Sequence, residues 1–490
     1  MLFDDIKDAF KHSLVYGGGA VLRNAIALLL IPLYGAYLTK PEYGAFQVLE
    51  ATARFLLVAL DMGIGSAYIL AIMYEDVTDR RTATTTAFSF LLVTSLIVGS
   101  VLAVFCRLFS VILLGDPAYR ALLLTVLAMV VFQLTRTVPL ARLRAGKQSR
   151  QYSFLVALSA ALQLVFCFGA LAGIRKGLAG AVAANAVSAG VMVIVYIVVI
   201  RTDVVSRFSP ACLKSMLKFG LPLVPAELAA TALTFSDRYF LRHFRTLDEL
   251  GLYGMGYNIG MVMGLAMAAV QLAWPPIVLA ASKRDDARQF YALFLTCFVF
   301  GSCFLAVGLI LFSPDIVHLI LPGWSGAIPI VPWIVASYVL WGVQIVIATV
   351  GVSLKKKSQQ FAAAMIAAAG LNLLLNWILI PTYGATGAAA ATLISYAAMA
   401  VGGAAVSLWL YPVKYEYGRL LKIVVVAIAL CLVALPLARL ENALLAVGIK
   451  AVCLLMFPVA LYILRFYTAE ELEYARHAVV AFVPSLRPRR

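Results

Sequence analysis

Charge is what this sequence has least of: 13% of its 490 residues are Asp, Glu, Lys or Arg, against about 25% in soluble domains. That shortage excludes an ordinary soluble chain. Long polar segments are missing as well, so no stretch is large enough for a separate soluble domain or an extramembrane loop carrying an acid–base set. The four histidines, His12, His243, His318 and His477, form no constellation, and an enzyme such as a polytopic polymerase or glycosyltransferase is set aside. No CxxC pair occurs among the seven cysteines, and all but Cys212 lie in apolar stretches. They read as small buried hydrophobes, with no metal site and no disulfide framework. Acids are the scarcer sign, 23 against 39 Lys and Arg, a net charge of +16. The cations form no patch or stripe, which speaks against nucleic acid.

What is there is apolar sequence, 63% of the chain, in runs near the roughly 20 residues that cross a bilayer as a helix. Fourteen spans are predicted, at 14–38, 44–72, 84–106, 121–141, 152–174, 178–200, 215–241, 251–280, 289–312, 328–353, 360–380, 387–411, 420–438 and 443–465. The stretch 107–120 reads as an interfacial turn. The start of the chain places Leu2, Phe3, Ile6, Phe10 and Leu14 on one helical face and Asp4, Asp5, Lys7, Asp8 and Lys11 elsewhere. This predicts an in-plane interfacial helix over 1–13 and no cleavable signal peptide.

Alternate loops differ in basic charge. One set holds nineteen Lys and Arg, among them Arg80, Arg142, Arg201, Lys283, Lys355 and Lys414; the other holds eight. The positive-inside rule puts the first set and both termini in the cytoplasm.

The chain also repeats itself at an offset near 207 residues. Thr39-x-x-Glu42-Tyr43-Gly44-x-Phe46 matches Thr246-x-x-Glu249-x-Gly251-x-Tyr253, and the pair Gly177/Gly180 matches Gly384/Gly387. Lys147-Gln-Ser149-x-Gln151-Tyr152 matches Lys356-x-Ser358-x-Gln360-Phe361. The unit is six helices, so both copies share one orientation. Parallel repeats imply two lobes, 14–200 and 201–411, with a substrate path between them. Two further helices (412–466) and a cytoplasmic tail (467–490) complete the expected organisation.

The junction Asp237-Arg238-Tyr239-Phe240-Leu241, then Phe244 and Glu249-x-Gly251-x-Tyr253, resembles the helix 7–8 junction of polysaccharide biosynthesis transporters. Pro32 with Leu38-Thr39-x-x-Glu42-Tyr43-Gly44-x-Phe46 resembles their helix 1–2 junction. These are the Wzx-type O-antigen and exopolysaccharide flippases of the multidrug/oligosaccharidyl-lipid/polysaccharide (MOP) exporter superfamily. The resemblance implies an all-α, two-lobed, V-shaped transporter of the bacterial inner membrane. It would carry undecaprenyl-diphosphate-linked glycans from the inner to the outer leaflet, working beside a polysaccharide polymerase and glycosyltransferases. A drug/cation antiporter of the same superfamily, a lipid II flippase and a non-transporting subunit of a secretion complex are the alternatives.

A diphosphate carrying sugars cannot cross about 30 Å of hydrocarbon unaided, so buried ionisable residues are the first candidates. The cations inside spans are Arg23, Arg54, Arg136, Arg238 and Lys450; the acids are Glu50, Asp61, Glu227 and Asp237. Arg23, Arg54 and Glu227 fall about 14–20 Å into their helices. Glu50, Arg54 and Asp61 share one face, as do Glu227, Thr231, Thr234 and Arg238. Arg23, Arg54, Arg238 and, more weakly, Arg136 are the candidate diphosphate ligands, through bidentate contacts. Asp61, Glu227, Glu50 and Asp237 are the candidates for proton or sodium coupling; no bound cofactor is expected. Internal pairing, Glu50 with Arg54 and Asp237 with Arg238, competes with these roles, and Lys450 is expected to snorkel. Gln163, Asn185, Asn258, Gln271, Asn372 and Asn376 are expected to be interhelical hydrogen-bond partners. Gly18, Pro222, Pro225 and Pro275 mark expected hinges, the last by breaking its helix.

Overall fold

A computed structural model describes residues 22–23, 25–74, 79–205, 207–355, 358–434, 443–469 and 471–473. The interfacial helix expected over 1–13, the hinge at Gly18 and most of the tail lie outside the described residues. The first half contains α1 (Ala25–Tyr37), α2 (Lys40–Asp61), α3 (Ile64–Tyr74), α4 (Arg80–Val104), α5 (Cys106–Leu114), α6 (Arg120–Leu134), α7 (Thr137–Ala145), α8 (Ser149–Phe168) and α9 (Gly177–Ile200). The second contains α10 (Pro210–Gly220), α11 (Val224–Phe235), α12 (Asp237–Phe244), α13 (Leu247–Gly260), α14 (Met263–Ala281), α15 (Ala287–Ile320), α16 (Val331–Lys355) and α17 (Ser358–Leu410). Then follow α18 (Tyr417–Ala434) and α19 (Ala443–Ile463). Eleven helical stretches among the described residues are long and apolar enough to cross a bilayer. One of them turns at Gly384, whose φ of 56° is non-helical, and so makes two passes. With α1 and α18 this matches the expected count of about fourteen. The nine-residue α5 is too short to span and takes the place of the expected interfacial turn.

Many predicted spans are broken within. The second is interrupted at Met62 and Gly63, both with positive φ, and the fourth between α6 and α7. The seventh is cut by a 3-10 turn at Leu221–Leu223 that contains Pro222, and α11 then begins with Pro225 in its first turn. A proline at this position lacks only an N–H that the first turn leaves unbonded anyway. The eighth span breaks at Met261 and Val262. Pro275 and Pro276 lie inside a continuous α14 and break nothing; the hinge expected at Pro275 is corrected accordingly.

The repeat is visible atom by atom. Thr39 caps α2 and Thr246 caps α13, each accepting from the backbone N–H of the glutamate three residues on, a satisfied N-terminus in both copies. Glu42 also accepts from Leu178 N at 3.4 Å, and Glu249 accepts from Ala385 N at 2.7 Å. Each of those amides follows a glycine in the left-handed region, Gly177 at 53° and Gly384 at 56°. The two copies then meet at matched positions. A Cβ on Gly44 would overlap the Leu247 carbonyl, and one on Gly251 would overlap the Lys40 carbonyl. Only glycine lets α2 and α13 approach this closely.

The described residues pack as two compact units, one drawn from Met1–Leu279 and Val317–Tyr411, the other from Ala280–Ile316 and Pro412–Arg490. Within the first, Met216 of α10 joins a core with Ile64, Tyr68, Ala83, Ala87 and Val138, whereas Leu233 of α11 joins Ala368, Ala369, Tyr396 and Met399. The seventh predicted span thus divides its packing between the two halves of the repeat. Within the second unit, Lys450 is 2% exposed and pairs with Asp315 at 2.6 Å. It does not snorkel. Its ammonium is neutralised in place by an acid on α15, as a buried charge requires. Phe457 packs on Phe300 and Phe304 in the same unit.

Candidate functional site

The site is a cavity of about 400 Å³ in the first unit, bounded by residues of α2, α3, α6, α7 and α11. Arg54, Leu57, Val58 and Asp61 face it from α2, at the spacings of three, four and seven that bring residues onto one helical face. Arg136 and Thr137 enter from the α6–α7 junction. Glu227, Thr231 and Phe235 line the cavity from α11, four residues apart and so in one row.

The cations differ in how they are held. Arg54 reaches Glu50 at 3.5 Å, and its side chain is 50% exposed, a weak, open ion pair. Arg136 is half-buried and has no hydrogen-bond or ion-pair partner for its guanidinium among the described residues. Arg23 lies outside the cavity lining but near enough that its charge repels those of Arg54 and Arg136. Asp61 accepts from Thr137 Oγ1 at 2.9 Å. The Glu227 carboxylate is exposed and has no polar partner among the described residues. Thr231 donates its hydroxyl to its own helix, to Glu227 O at 2.8 Å.

Glu50, like Arg23, is not part of the cavity lining, and two further expected site residues are sealed away from it. Asp237 and Arg238 are each 1% exposed and pair with one another at 2.6 Å. Tyr253 Oη donates to the second oxygen of Asp237. The Arg238 guanidinium lies 4.8 Å from the Phe235 ring centre and 4.4 Å from that of Tyr257. It is sealed among aromatic rings and cannot reach a ligand in the cavity; its assignment as a diphosphate ligand, and that of Asp237 as a coupling acid, are corrected. The cause is local: α11 ends at Phe235 and α12 starts at Asp237, with Ser236 between them, so the regular helical row is interrupted there. What Arg238 does is fix the ring of Phe235. Arg136, the weaker candidate from sequence, lines the cavity; the basic loop beginning at Arg142 masks it, and the signal in the sequence is Thr135-Arg136-Thr137, a polar triplet between apolar runs.

The neutral polar residues form interhelical pairs as expected. Gln163 donates to Asn185 at 2.9 Å and Asn258 to Tyr43 at 2.5 Å, while Asn376 donates to Ser236 at 3.4 Å and Ser236 donates to Asn372 at 3.2 Å; Gln271 is the exception, exposed and with no hydrogen bond among the described residues. Basic residues of the opposite loops are helix caps: Arg242 donates to the carbonyl of Leu114, and Arg245 to those of Ile380 and Pro381.

The fold is shared with solved transporters, some of them of the MOP superfamily. The lipid II flippase MurJ in an inward closed conformation superposes with a TM-score of 0.75 at 14% identity, covering 92% of this chain and 99% of that one. An inward-facing multidrug resistance MATE family transporter of the MOP superfamily gives a TM-score of 0.65 at 15% identity, covering 79% of this chain and 94% of its own. The Vibrio cholerae MATE transporter VcmN gives 0.59 at 16%, covering 82% and 96%. At such identities the likeness establishes the fold. The family follows from the sequence itself: residues 9–280 match the polysaccharide biosynthesis protein family, and the chain belongs to it. No curated protein matches significantly.

Proposed function

We propose that the chain is a flippase for a polyprenyl-diphosphate-linked oligosaccharide, an O-antigen or exopolysaccharide repeat unit on undecaprenyl diphosphate, moved from the inner to the outer leaflet of the bacterial inner membrane by alternating access. The observation that carries this reading is Arg136, a guanidinium without a partner among the described residues, opening with Arg54 into one cavity. Like charges in a low-dielectric space repel, and keeping a cation at membrane depth is costly. A diphosphate relieves both, accepting bidentate hydrogen bonds from each arginine. A drug/cation antiporter has the opposite need, a cavity in which acids outweigh bases, whereas here two arginines offset the two acids Asp61 and Glu227. The family, whose name is polysaccharide biosynthesis, supports a glycan as cargo.

Coupling to a proton or sodium gradient falls on Asp61, the cavity acid that Thr137 holds in place. The basic bias of alternate loops supports both termini being cytoplasmic. Polymerase and glycosyltransferase partners would supply and consume the lipid-linked unit. The deciding experiment is reconstitution in proteoliposomes with a fluorescent undecaprenyl-diphosphate-linked oligosaccharide and, in parallel, ethidium. Flipping of the glycolipid without ethidium transport is expected; ethidium transport alone would overturn the proposal.

A further inference from the structure

The wall that α11 contributes to the cavity offers a different chemistry from the arginine wall. Glu227 presents a carboxylate, Thr231 presents a hydroxyl oxygen whose proton is already given to its own helix, and Phe235 presents a ring. Each of these accepts hydrogen bonds or stacks; none donates. A diphosphate is also acceptor-only, so this wall cannot hold it, and Glu227 would repel it. The matching ligand is a ring rich in O–H or N–H donors with an apolar face. The ring has a fixed seat, because the Arg238 guanidinium, 4.8 Å from its centre, is itself locked by Asp237. We infer that Glu227, Thr231 and Phe235 form a monosaccharide subsite that reads the sugar nearest the diphosphate, while Arg54 and Arg136 hold the phosphates. This rests on the diphosphate-glycan reading above and divides its cargo between the two halves of the repeat: the cations come from the first, the sugar-reading row from the second. It assigns Glu227 to recognition rather than to ion coupling.

The geometry of a sugar and its anomeric phosphate suits such a division, since the sugar is bonded directly to the second phosphate and must occupy the same 400 Å³ space. A carboxylate can accept from two vicinal hydroxyls at once, with charge-assisted strength, and a site built for hydroxyls discriminates against ligands lacking them because its acceptors are left unpaired.

The test is equilibrium binding to the purified full-length protein of farnesyl diphosphate and of farnesyl-diphosphate-linked monosaccharides, one neutral hexose and one N-acetylhexosamine. The wild type should bind at least one glycosylated probe more tightly than the bare diphosphate. Glu227→Gln should reduce that preference by about tenfold, and Thr231→Val by about threefold, with the affinity for bare farnesyl diphosphate unchanged or raised. Arg54→Ala should weaken both ligands alike. A full sugar preference surviving in both Glu227→Gln and Thr231→Val overturns the subsite while leaving the diphosphate reading intact. A wild type that binds none of the probes removes the diphosphate reading and this inference with it. If Glu227→Gln abolishes a pH or sodium dependence of binding but keeps the sugar preference, Glu227 serves coupling and the subsite is wrong.

Discussion

Replacing Arg136 by alanine separates binding from stability more cleanly than any other change in the cavity. Its guanidinium has no hydrogen-bond or ion-pair partner among the described residues, so its removal breaks no close pair and takes from Asp61 only a longer-range attraction. The stability change should stay within about 0.5 kcal/mol, as for substitutions away from packed or paired features. A hydrogen bond to a charged group contributes about 1.5–3 kcal/mol, and each 1.4 kcal/mol is about tenfold. Loss of the Arg136 contacts to a diphosphate should therefore slow glycolipid flipping by about 10-fold to about 150-fold. Arg136→Lys keeps the charge but not the fork and should fall between. Arg54→Ala should abolish flipping outright, because Arg54 is the most open of the cavity cations and also holds Glu50 in check; Arg54→Lys should retain part. The assay is accessibility of a fluorescent lipid-linked oligosaccharide to an outside reductant in proteoliposomes, with the melting temperature measured on the same preparation. A well-folded Arg136→Ala protein that flips at the wild-type rate would refute the assignment of a phosphate to this cavity wall.

Arg238 should behave in the opposite way. Arg238→Met strands a buried Asp237 and should cost about 3–5 kcal/mol, while adding Asp237→Leu should restore much of it; an unchanged melting temperature in the single variant would show that the pair is not structural. Gly44→Ala and Gly251→Ala should each lower stability by forcing α2 and α13 apart, whereas Gly301→Ala, which meets nothing within 4 Å, should be neutral or gain about 0.5–1 kcal/mol. Asp61→Asn should weaken the dependence of flipping on the proton or sodium gradient, and an unaltered dependence would exclude Asp61 as the coupling acid. Reporter fusions in the loop around Lys356 and at Gly323 should report opposite sides of the membrane; the same side for both would break the helix count.

The membrane class, the number of passes and the repeat were readable because each is written in long-range pattern: apolar runs of fixed length, alternate basic loops, and three motifs at nearly one offset. The repeat was legible even at atomic level, since Thr39, Glu42 and Gly44 recur as Thr246, Glu249 and Gly251 with the same bonds. Breaks inside spans were legible only in part. Pro222 and Pro225 announced the turn in the seventh span, but the break at Met62–Gly63 has no proline, and a single glycine in a long helix is not a break by itself. Pro275 and Pro276 misled for the converse reason: inside α14 the carbonyls they leave unbonded can be satisfied by neighbours. Which charges face the cavity was the least legible feature. Arg238 and Glu227 share a stripe in an unbroken helix; the helix is interrupted at Ser236, and one lies in an aromatic cage while the other lines the cavity.

The same structure indicates which contacts a transport cycle would have to break. The charge pairs that cost most to separate lie inside single bodies: Asp237–Arg238 with Tyr253 in neighbouring helices of the second repeat, and Lys450–Asp315 within the second unit. The two halves of the repeat meet instead through backbone. At one seam Gly44 and Gly251 face each other's chain; at the other, a Cβ on Gly63 would overlap Gly220 and one on Gly220 would overlap Met62 and Gly63. Alongside are neutral hydrogen bonds, such as Thr52 to Tyr239 at 2.9 Å and Trp324 to the Gly35 carbonyl at 2.9 Å; a charged contact among the described residues is Arg242 at the end of α5. Parting a glycine seam gives up dispersion contacts that are individually about 0.1–0.2 kcal/mol and leaves no charge stranded. Arg54 stands ten residues after Gly44 and nine before Gly63, about 15 Å from each along α2. Arg54 therefore sits midway along α2 between two junctions that are inexpensive to open, which is the arrangement the proposed flippase needs if it is to hold an anionic head group and release it to either side.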